Sequence, residues 1–277
     1  MSTLRPVETS TITVLGVVRN ADWIVGAEID RIYSSLKSFK KIFFFVVESD
    51  SDDKTINALK LAEQKYEGFS FISLGRLERS LPERTERIAM ARNMCIATMN
   101  KNVEARNSDY YLVVDLDGVN CQLNRSAVES CWEAKDWEVA TANQPKGYYD
   151  IYALRHPDWS VSDCWNQKNS LVPIMGEAQA RQLAITSKIV QISRDSLPIK
   201  VSSAFGGAAI YSRDAFKNLE YVGINEAGKP ICEHVIPNLK LNALGAKIKI
   251  IPSFVNINSI ASIRWHRKIL WLQKVLK

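Results

Sequence analysis

Residues 110–120 read YYLVVDLDGVN. Tyr110 to Val114 is a short apolar run, the pattern of a strand buried on both faces, and it ends on Asp115. Asp115 and Asp117 stand at i and i+2, so on an extended backbone they share a face, and Gly118 lets the chain turn away after them. Two close carboxylates repel unless a proton or a cation sits between them. Hard oxygen ligands suit Mg²⁺ or Mn²⁺ shared with substrate phosphates. A solvated turn after a strand is the plain alternative. The strand context favours a site, because open α/β sheets bind ligands at the carboxyl ends of their parallel strands.

Upstream, the pattern repeats. Thr11 to Val18 (TITVLGVV), Lys41 to Glu48 (KIFFFVVE) and Phe69 to Leu74 read as buried strands. Between them lie helix patterns at Trp23 to Phe39, where Val25, Ile29, Ile32 and Leu36 share a face, and at Thr55 to Lys65. Ser80-Leu81-Pro82-Glu83 is a capping box with a proline in the first turn, announcing a helix that runs to about Met99. Strand–helix alternation of this kind predicts an α/β, Rossmann-type, mostly parallel sheet flanked by helices.

Downstream, Ser126-Ala127-Val128-Glu129 opens a further helix to about Lys135. Residues 143–170 lack periodicity and read as a long functional loop region with one strand inside. Glu233 to Leu244 reads as a helix closed by Gly245, with Pro237 in its first turn, before a strand from Ala246 to Ile251 stopped by Pro252. No linker-like break divides residues 1–262, so they are read as one domain.

The composition agrees. A chain of 277 residues, 46% hydrophobic and 24% charged, is neither disordered nor a disulfide-dense miniature. Five cysteines without C-x-x-C spacing, and no signal peptide ahead of them, point to a reducing, cytoplasmic compartment. The longest tight apolar run, Ile42 to Val47, is too short to span a bilayer. The formal charge of +6 sits almost wholly at one end: residues 264–277 hold five Lys or Arg and no acid, leaving +1 for the rest. That weakens any nucleic-acid reading based on net charge, and no nucleic-acid partner is expected. Trp265, Ile269, Leu272 and Leu276 make an apolar stripe opposite Arg264, Arg267, Lys268, Lys274 and Lys277, so residues 263–277 read as a C-terminal basic amphipathic helix. It suits an anionic membrane surface, or else docks on the sheet with its basic side wet.

Two enzyme classes place D-x-D at a strand end. VVDLDGV is similar to the haloacid-dehalogenase-type phosphatase string, in which Asp115 and Asp117 would be nucleophile and acid/base. That class puts the motif near its N-terminus and needs a later Gly-Asp motif, and this chain has three strands before the motif and no Gly-Asp dipeptide. The order of elements resembles more closely the nucleotide-sugar glycosyltransferases of the GT-A fold. Ile88-Ala89-Met90-Ala91-Arg92-Asn93 is similar to their A-R-N helix ahead of the D-x-D strand, and Ser203 to Tyr211 (SAFGGAAIY) to their Gly-rich acceptor-side segment. Cys232-Glu233-His234 followed by LKLNALGAKIKIIP looks like the E-D helix and strand of inverting members, with His where they have Asp. Tyr148 to Arg155 (YYDIYALR) resembles capsule-type mannosyltransferase relatives.

The resemblance implies a hexosyltransferase with a nucleotide-binding half at 1–120 and an acceptor half at 121–262. Asp115 and Asp117 would hold Mn²⁺ or Mg²⁺ against the diphosphate of a nucleoside-diphosphate-sugar donor, with His234 a candidate third ligand and His266 a fainter one. Glu233 or His234 would be the base of an inverting reaction. Arg19, Asn20 and Glu48 at strand ends, with Arg92 and Asn93, would bind the donor. Arg92 also has a rigid fork suited to phosphate or carboxylate, whereas Arg84 and Arg87 read as ordinary surface charges. Tyr148, Tyr149, Tyr152, Trp159 and Trp165 would either pack in the core or form a sugar-stacking platform, with Gly206 and Gly207 allowing close approach by the acceptor. That acceptor would be a polysaccharide or glycolipid, built at the inner face of a membrane by a peripheral enzyme. The competing readings are the Mg²⁺-dependent phosphatase and a non-catalytic sugar-nucleotide or partner-binding domain.

Overall fold

The computed structural model describes residues 4–259; the basic helix expected at 263–277, and His266 within it, lie outside the described residues. The first half follows the expected alternation: β1 (Thr11–Val18), α1 (Val25–Ser35), β2 (Lys41–Glu48), α2 (Thr55–Lys65), β3 (Phe69–Ser73), α3 (Arg84–Met99) and β4 (Tyr110–Asp115). Then come α4 (Arg125–Glu133), β5 (Val139–Asn143), α5 (Cys164–Ala184), β6 (Ile199–Val201), β7 (Ala208–Ser212), α6 (Arg213–Phe216), α7 (Val235–Ala243) and β8 (Ile248–Val255).

The eight strands form one mixed, mostly parallel sheet in the order β3-β2-β1-β4-β7-β5-β8-β6. β7 runs antiparallel between β4 and β5, and β6 antiparallel to β8 at the edge. Period-two alternation splits each strand between two cores. Phe43, Phe45, Val47, Tyr111 and Val113 face α3. Phe44, Val46, Leu112 and Val114 face α1, α2 and α4, where Ile29, Ile32, Leu59 and Val128 cover them. The chain winds outward from β1 to β3 and then crosses back to β4 on the other side of β1. The sheet therefore reverses its winding between β1 and β4, where open α/β sheets form their ligand crevice. Val17 pairs with Asp115 across that point.

Four local expectations change. α3 is capped by Glu83, whose side chain accepts from Thr85 N, rather than by Ser80. α4 is capped by Asn124, which accepts from Ala127 N, two residues before Ser126. α5 begins inside the stretch expected as loop, and the strand expected there is replaced by isolated bridges at Arg155 and His156; Asp163 caps α5, and Gly176 (φ 79°) interrupts it. Helical periodicity was invisible there because only Cys164, Ala180 and Ala184 of α5 are buried. β8 continues through Pro252 to Val255, because its pairing with β5 shifts register between Thr141 and Asn143 and leaves room for a residue without an N–H donor.

Candidate active site

The carboxyl ends of β1 and β4 open into a cavity of about 430 Å³. Val17, Val18, Arg19, Asp115 and Asp117 line it from the sheet, Ser49 and Asp50 from the end of β2, and Arg84 and Arg87 from the first turn of α3. The opposite wall comes from the second half of the chain: Tyr149, Asp150, Tyr152, Phe205, Glu233 and His234.

Arg92 ties the two walls together. Projecting from α3 and 3% exposed, it donates from Nη2 to Asp115 Oδ1 (2.7 Å) and from Nε to Glu233 Oε1 (2.9 Å). Its guanidinium lies 4.9 Å from the Phe205 ring centre and 5.7 Å from that of Tyr221. Burial alone would weaken its charge, but Asp115 and Glu233 outweigh burial and raise its proton affinity. Asp115 keeps a third of its side chain (35%) open to the cavity. Enclosure by protein, opposed by Arg92 and reinforced by Asp117 and Glu233, pushes its carboxyl up to about 7. Among the described residues, the cavity lining carries five acidic side chains, Asp50, Asp115, Asp117, Asp150 and Glu233, against Arg19, Arg84 and Arg87, with Arg92 buried behind them.

Glu233 sits just ahead of α7, 6% exposed. Burial raises its proton affinity, but His234 and Arg92 pull it down to about 2. His234 acts that way only when protonated, and burial beside Arg92 keeps it neutral down to about pH 3. Arg92 is therefore what holds Glu233 ionised near neutral pH. A carboxylate clamped in this way is a poor proton acceptor.

His234 stacks on Phe205 (3.7 Å between centres, 19°) and meets Tyr221 edge-on (5.3 Å, 90°). Neither ring nitrogen has a hydrogen-bond partner among the described residues. It does not join Asp115 and Asp117 as a metal ligand set: among the described residues, no group of three or more His, Cys, Asp or Glu is arranged to hold an ion. Arg92 stands between the Glu233–His234 pair and Asp115, bonded to both carboxylates.

The remaining expected residues divide. Arg19 lines the cavity and pairs with Glu78 (3.0 Å). Asn20 instead stitches β1 to the loop after β2: its N–H donates to Ser51 Oγ and its Oδ1 accepts from Asp52 N. Glu48 is 1% exposed and spends both oxygens locally, on Ser51 N and the Ser73 hydroxyl, so it does not face a donor. Asn93 is also committed, exchanging hydrogen bonds with the backbone N–H and C=O of Tyr221 (2.8 and 2.9 Å).

The aromatic platform does not assemble. Tyr149 and Tyr152 reach the cavity, Tyr148 is fully buried and packs against Trp159 in the core, and Trp165 is 39% exposed on α5 beside Arg181. Gly206 and Gly207 (φ 70° and 85°) are closed in by protein, Gly206 by backbone and Gly207 by the Val119 and Tyr149 side chains. A Cβ on Gly206 would meet Ala142 O at 2.6 Å, and Gly207 O accepts from Asp115 N.

Three acidic or basic features escaped the sequence reading. Arg84 and Arg87 line the cavity, Arg87 half-buried and Arg84 still exposed to solvent. Asp150 lines it as well; its Oδ2 accepts from Gly206 N (2.9 Å) and its Oδ1 from Ala153 N (3.3 Å). Glu28 on α1, 1% exposed, accepts from Gly118 N (2.9 Å) and from Asn120 N, gripping the loop that carries Asp117. Its position did carry a signal, because residue 28 falls on the same face as Val25, Ile29 and Ile32, where an apolar side chain was due.

No protein-family model and no curated protein matches the chain. Among solved structures, it is similar to a mannosyltransferase from Pyrobaculum calidifontis in complex with GDP-Man and Mn²⁺, at 15% identity and TM-score 0.49, covering 90% of this chain and 56% of that one. It is also similar to glucosyl-3-phosphoglycerate synthase from Mycobacterium tuberculosis in complex with phosphoglyceric acid, at 12% identity and TM-score 0.44, covering 90% and 69%. A third is mannosyl-3-phosphoglycerate synthase from Rubrobacter xylanophilus, at 16% identity and TM-score 0.37, covering 76% and 55%. The chain thus spans little more than half the length of the first and third of these proteins.

Proposed function

We propose that the chain is a metal-dependent GT-A-type glycosyltransferase, moving a hexosyl group with inversion from a nucleoside-diphosphate sugar to a polysaccharide or glycolipid hydroxyl. The observation that carries this reading is the Arg92 bridge. It fixes Asp115, at the winding reversal of the sheet, against Glu233 of the acceptor half, across a cavity large enough for a sugar and a diphosphate. The order of sequence motifs supports the same reading.

Asp115 and Asp117 lie on one wall of the cavity, and the excess negative charge there suits a divalent cation whose remaining ligands are phosphate oxygens and water. These two aspartates would hold it. When bound, such an ion neutralises charge on the departing diphosphate. The chain's own residues do the rest. Arg84, in the first turn of α3, and Arg87 beside it bring positive charge to the same wall, where a helix N-terminus also favours anions. Arg92 keeps Asp115 oriented, and Glu233 serves as the counter-ion of Arg92. Tyr149, Tyr152 and Phe205 line the acceptor side of the cavity with aromatic surface. Among the described residues no helix is long and apolar enough to cross a membrane; a peripheral membrane location rests on the basic stripe at 264–277, outside the described residues.

Thermal shift with Mn²⁺ and nucleoside diphosphates tests the proposal. UDP or GDP should stabilise the wild-type chain only when Mn²⁺ is present, and Asp117→Ala should abolish that stabilisation while leaving the unliganded Tm within a few degrees. Absence of any nucleotide response, together with metal-dependent hydrolysis of p-nitrophenyl phosphate, would establish the phosphatase reading instead.

A further inference from the structure

We propose that Asp150 is the group that takes the proton from the attacking hydroxyl, an assignment that rests on the glycosyltransferase reading above. Three observations carry it. Asp150 stands on the acceptor-side wall of the cavity, in the half of the chain opposite the Asp115–Asp117 loop. Its two oxygens are anchored by backbone N–H groups of Gly206 and Ala153, which fix the carboxylate yet leave each oxygen a lone pair to spare. No Lys, Arg or His forms an ion pair with it among the described residues, whereas Glu233, the other carboxylate on that wall, is clamped by Arg92. Enclosure raises the Asp150 carboxyl to about 6, against the two N–H groups that lower it, while Glu233 stays near 2. Of the two, Asp150 has the proton affinity of a working base near neutral pH.

In the step itself, the acceptor O–H bond breaks and its proton passes to an Asp150 oxygen. The freed oxygen lone pair forms the bond to the anomeric carbon. The bond from that carbon to the β-phosphate oxygen breaks, and its electron pair leaves with the nucleoside diphosphate. Asp150 then returns the proton to solvent.

The experiment uses the full chain with Mn²⁺ and follows hydrolysis of UDP-glucose and GDP-mannose, water serving as acceptor. Asp150→Asn should lower kcat by about 100-fold or more, with the donor KM within about threefold and the Mn²⁺-dependent UDP or GDP thermal shift retained. Asp150→Ala, in case the amide disturbs the Gly206 and Ala153 contacts, should recover activity in added formate, whereas Glu233→Ala should not. A structural role for Asp150 would give no formate rescue. Asp150→Asn turning over within about fivefold of wild type, or formate rescuing Glu233→Ala instead, overturns the assignment. Failure of the wild-type chain to bind nucleotide with Mn²⁺ and to turn over either donor overturns the function itself, so the two failures are distinguishable.

Discussion

Replacing Arg92 with methionine isolates the contact on which the site is built. Methionine roughly matches the length of the arginine stem and removes both charge-assisted hydrogen bonds, 2.7 Å to Asp115 and 2.9 Å to Glu233. Two carboxylates then share a largely buried space without the cation that bridged them, at 3% exposure for Arg92 itself. Breaking a buried ion pair from one side costs about 3–5 kcal/mol, a fall in Tm on the order of 10 °C for a chain of this size. Urea unfolding followed by tryptophan fluorescence reads this at pH 7. Arg92→Met/Glu233→Gln should be more stable than Arg92→Met alone, because neutral glutamine no longer strands a charge. The cycle should give a coupling of about 1–3 kcal/mol.

Acidification supplies an independent check. In wild type Glu233 is held near 2 rather than at its ordinary 4.5, so the folded state binds its proton more weakly than the unfolded state does. The Arg92 share of that lowering stabilises the fold above pH 4.5, and the contribution fades as pH falls below it. Arg92→Met lacks it at every pH. The stability gap between wild type and variant should therefore narrow from pH 7 to pH 3. A gap below about 1 kcal/mol at pH 7, or one that stays constant on acidification, refutes the view that Arg92 is what keeps Glu233 ionised.

Two further perturbations test the supports of the site. Glu28→Ala strands the N–H groups of Gly118 and Asn120, and should weaken Mn²⁺-dependent nucleotide binding by about tenfold, a loss of roughly 1.4 kcal/mol within the cost of one unsatisfied donor; isothermal titration measures it. Burial, aided by Asp117 and Asp115 and opposed by the two N–H groups, raises the Glu28 carboxyl to about 8. The metal-free fold therefore binds this proton more tightly than the unfolded chain, and should lose stability as pH rises from 4.5 through 8. Glu28→Gln should flatten that slope. Gly223→Ala places a Cβ 2.2 Å from Thr85 O and 2.4 Å from Glu86 N, so the loop must part from the first turn of α3 at a cost of about 2 kcal/mol or more. Gly26→Ala on α1 meets nothing within 4 Å and should stabilise by about 0.5–1 kcal/mol, making it the matched control in a melting experiment.

The first half of the fold was legible because its signals are local. Six apolar residues between Ile42 and Val47 can be little other than a doubly buried strand, and Val25, Ile29, Ile32 and Leu36 mark a helix by spacing alone. Asp115, Asp117, Arg92 and Glu233 were legible as motifs; the structure brings the three carboxylates to one cavity, with Arg92 buried behind Asp115 and Glu233. The losses came where the deciding partner lies far along the chain. Glu48 and Asn93 look free in sequence, yet they are consumed by Ser73 and by Tyr221, 25 and 128 residues away. α5 hid because a helix that buries only three side chains writes no stripe.

Asp150 and Glu28 show why the supporting residues of a site are harder to read than the reacting ones. Each carboxylate is satisfied by backbone N–H groups, and backbone leaves no mark in the sequence. From Glu28 the hydrogen bonds run through Gly118 and Asn120, from Asn120 Oδ1 to Asn256, from Asn256 to Gly206 O, and from Gly206 N to Asp150. The chain of contacts joins α1, the acidic loop, the segment after β8 and the Gly-rich turn, and Gln144 joins it at Gly206 O and Asn256. Asn120, Gln144 and Asn256 are each fully buried, and buried amides without partners are costly. The network rigidifies the loops it connects, with Gln144 Oε1 its one atom lacking a partner among the described residues. Gly206 thus ties the acidic loop to Asp150 through its backbone N–H and C=O, whereas Arg92 joins the walls of the site by charge. The charged contact could be guessed from sequence, because arginine and carboxylate types announce one another. The amide chain could not, because each of its links needs the fold to exist first.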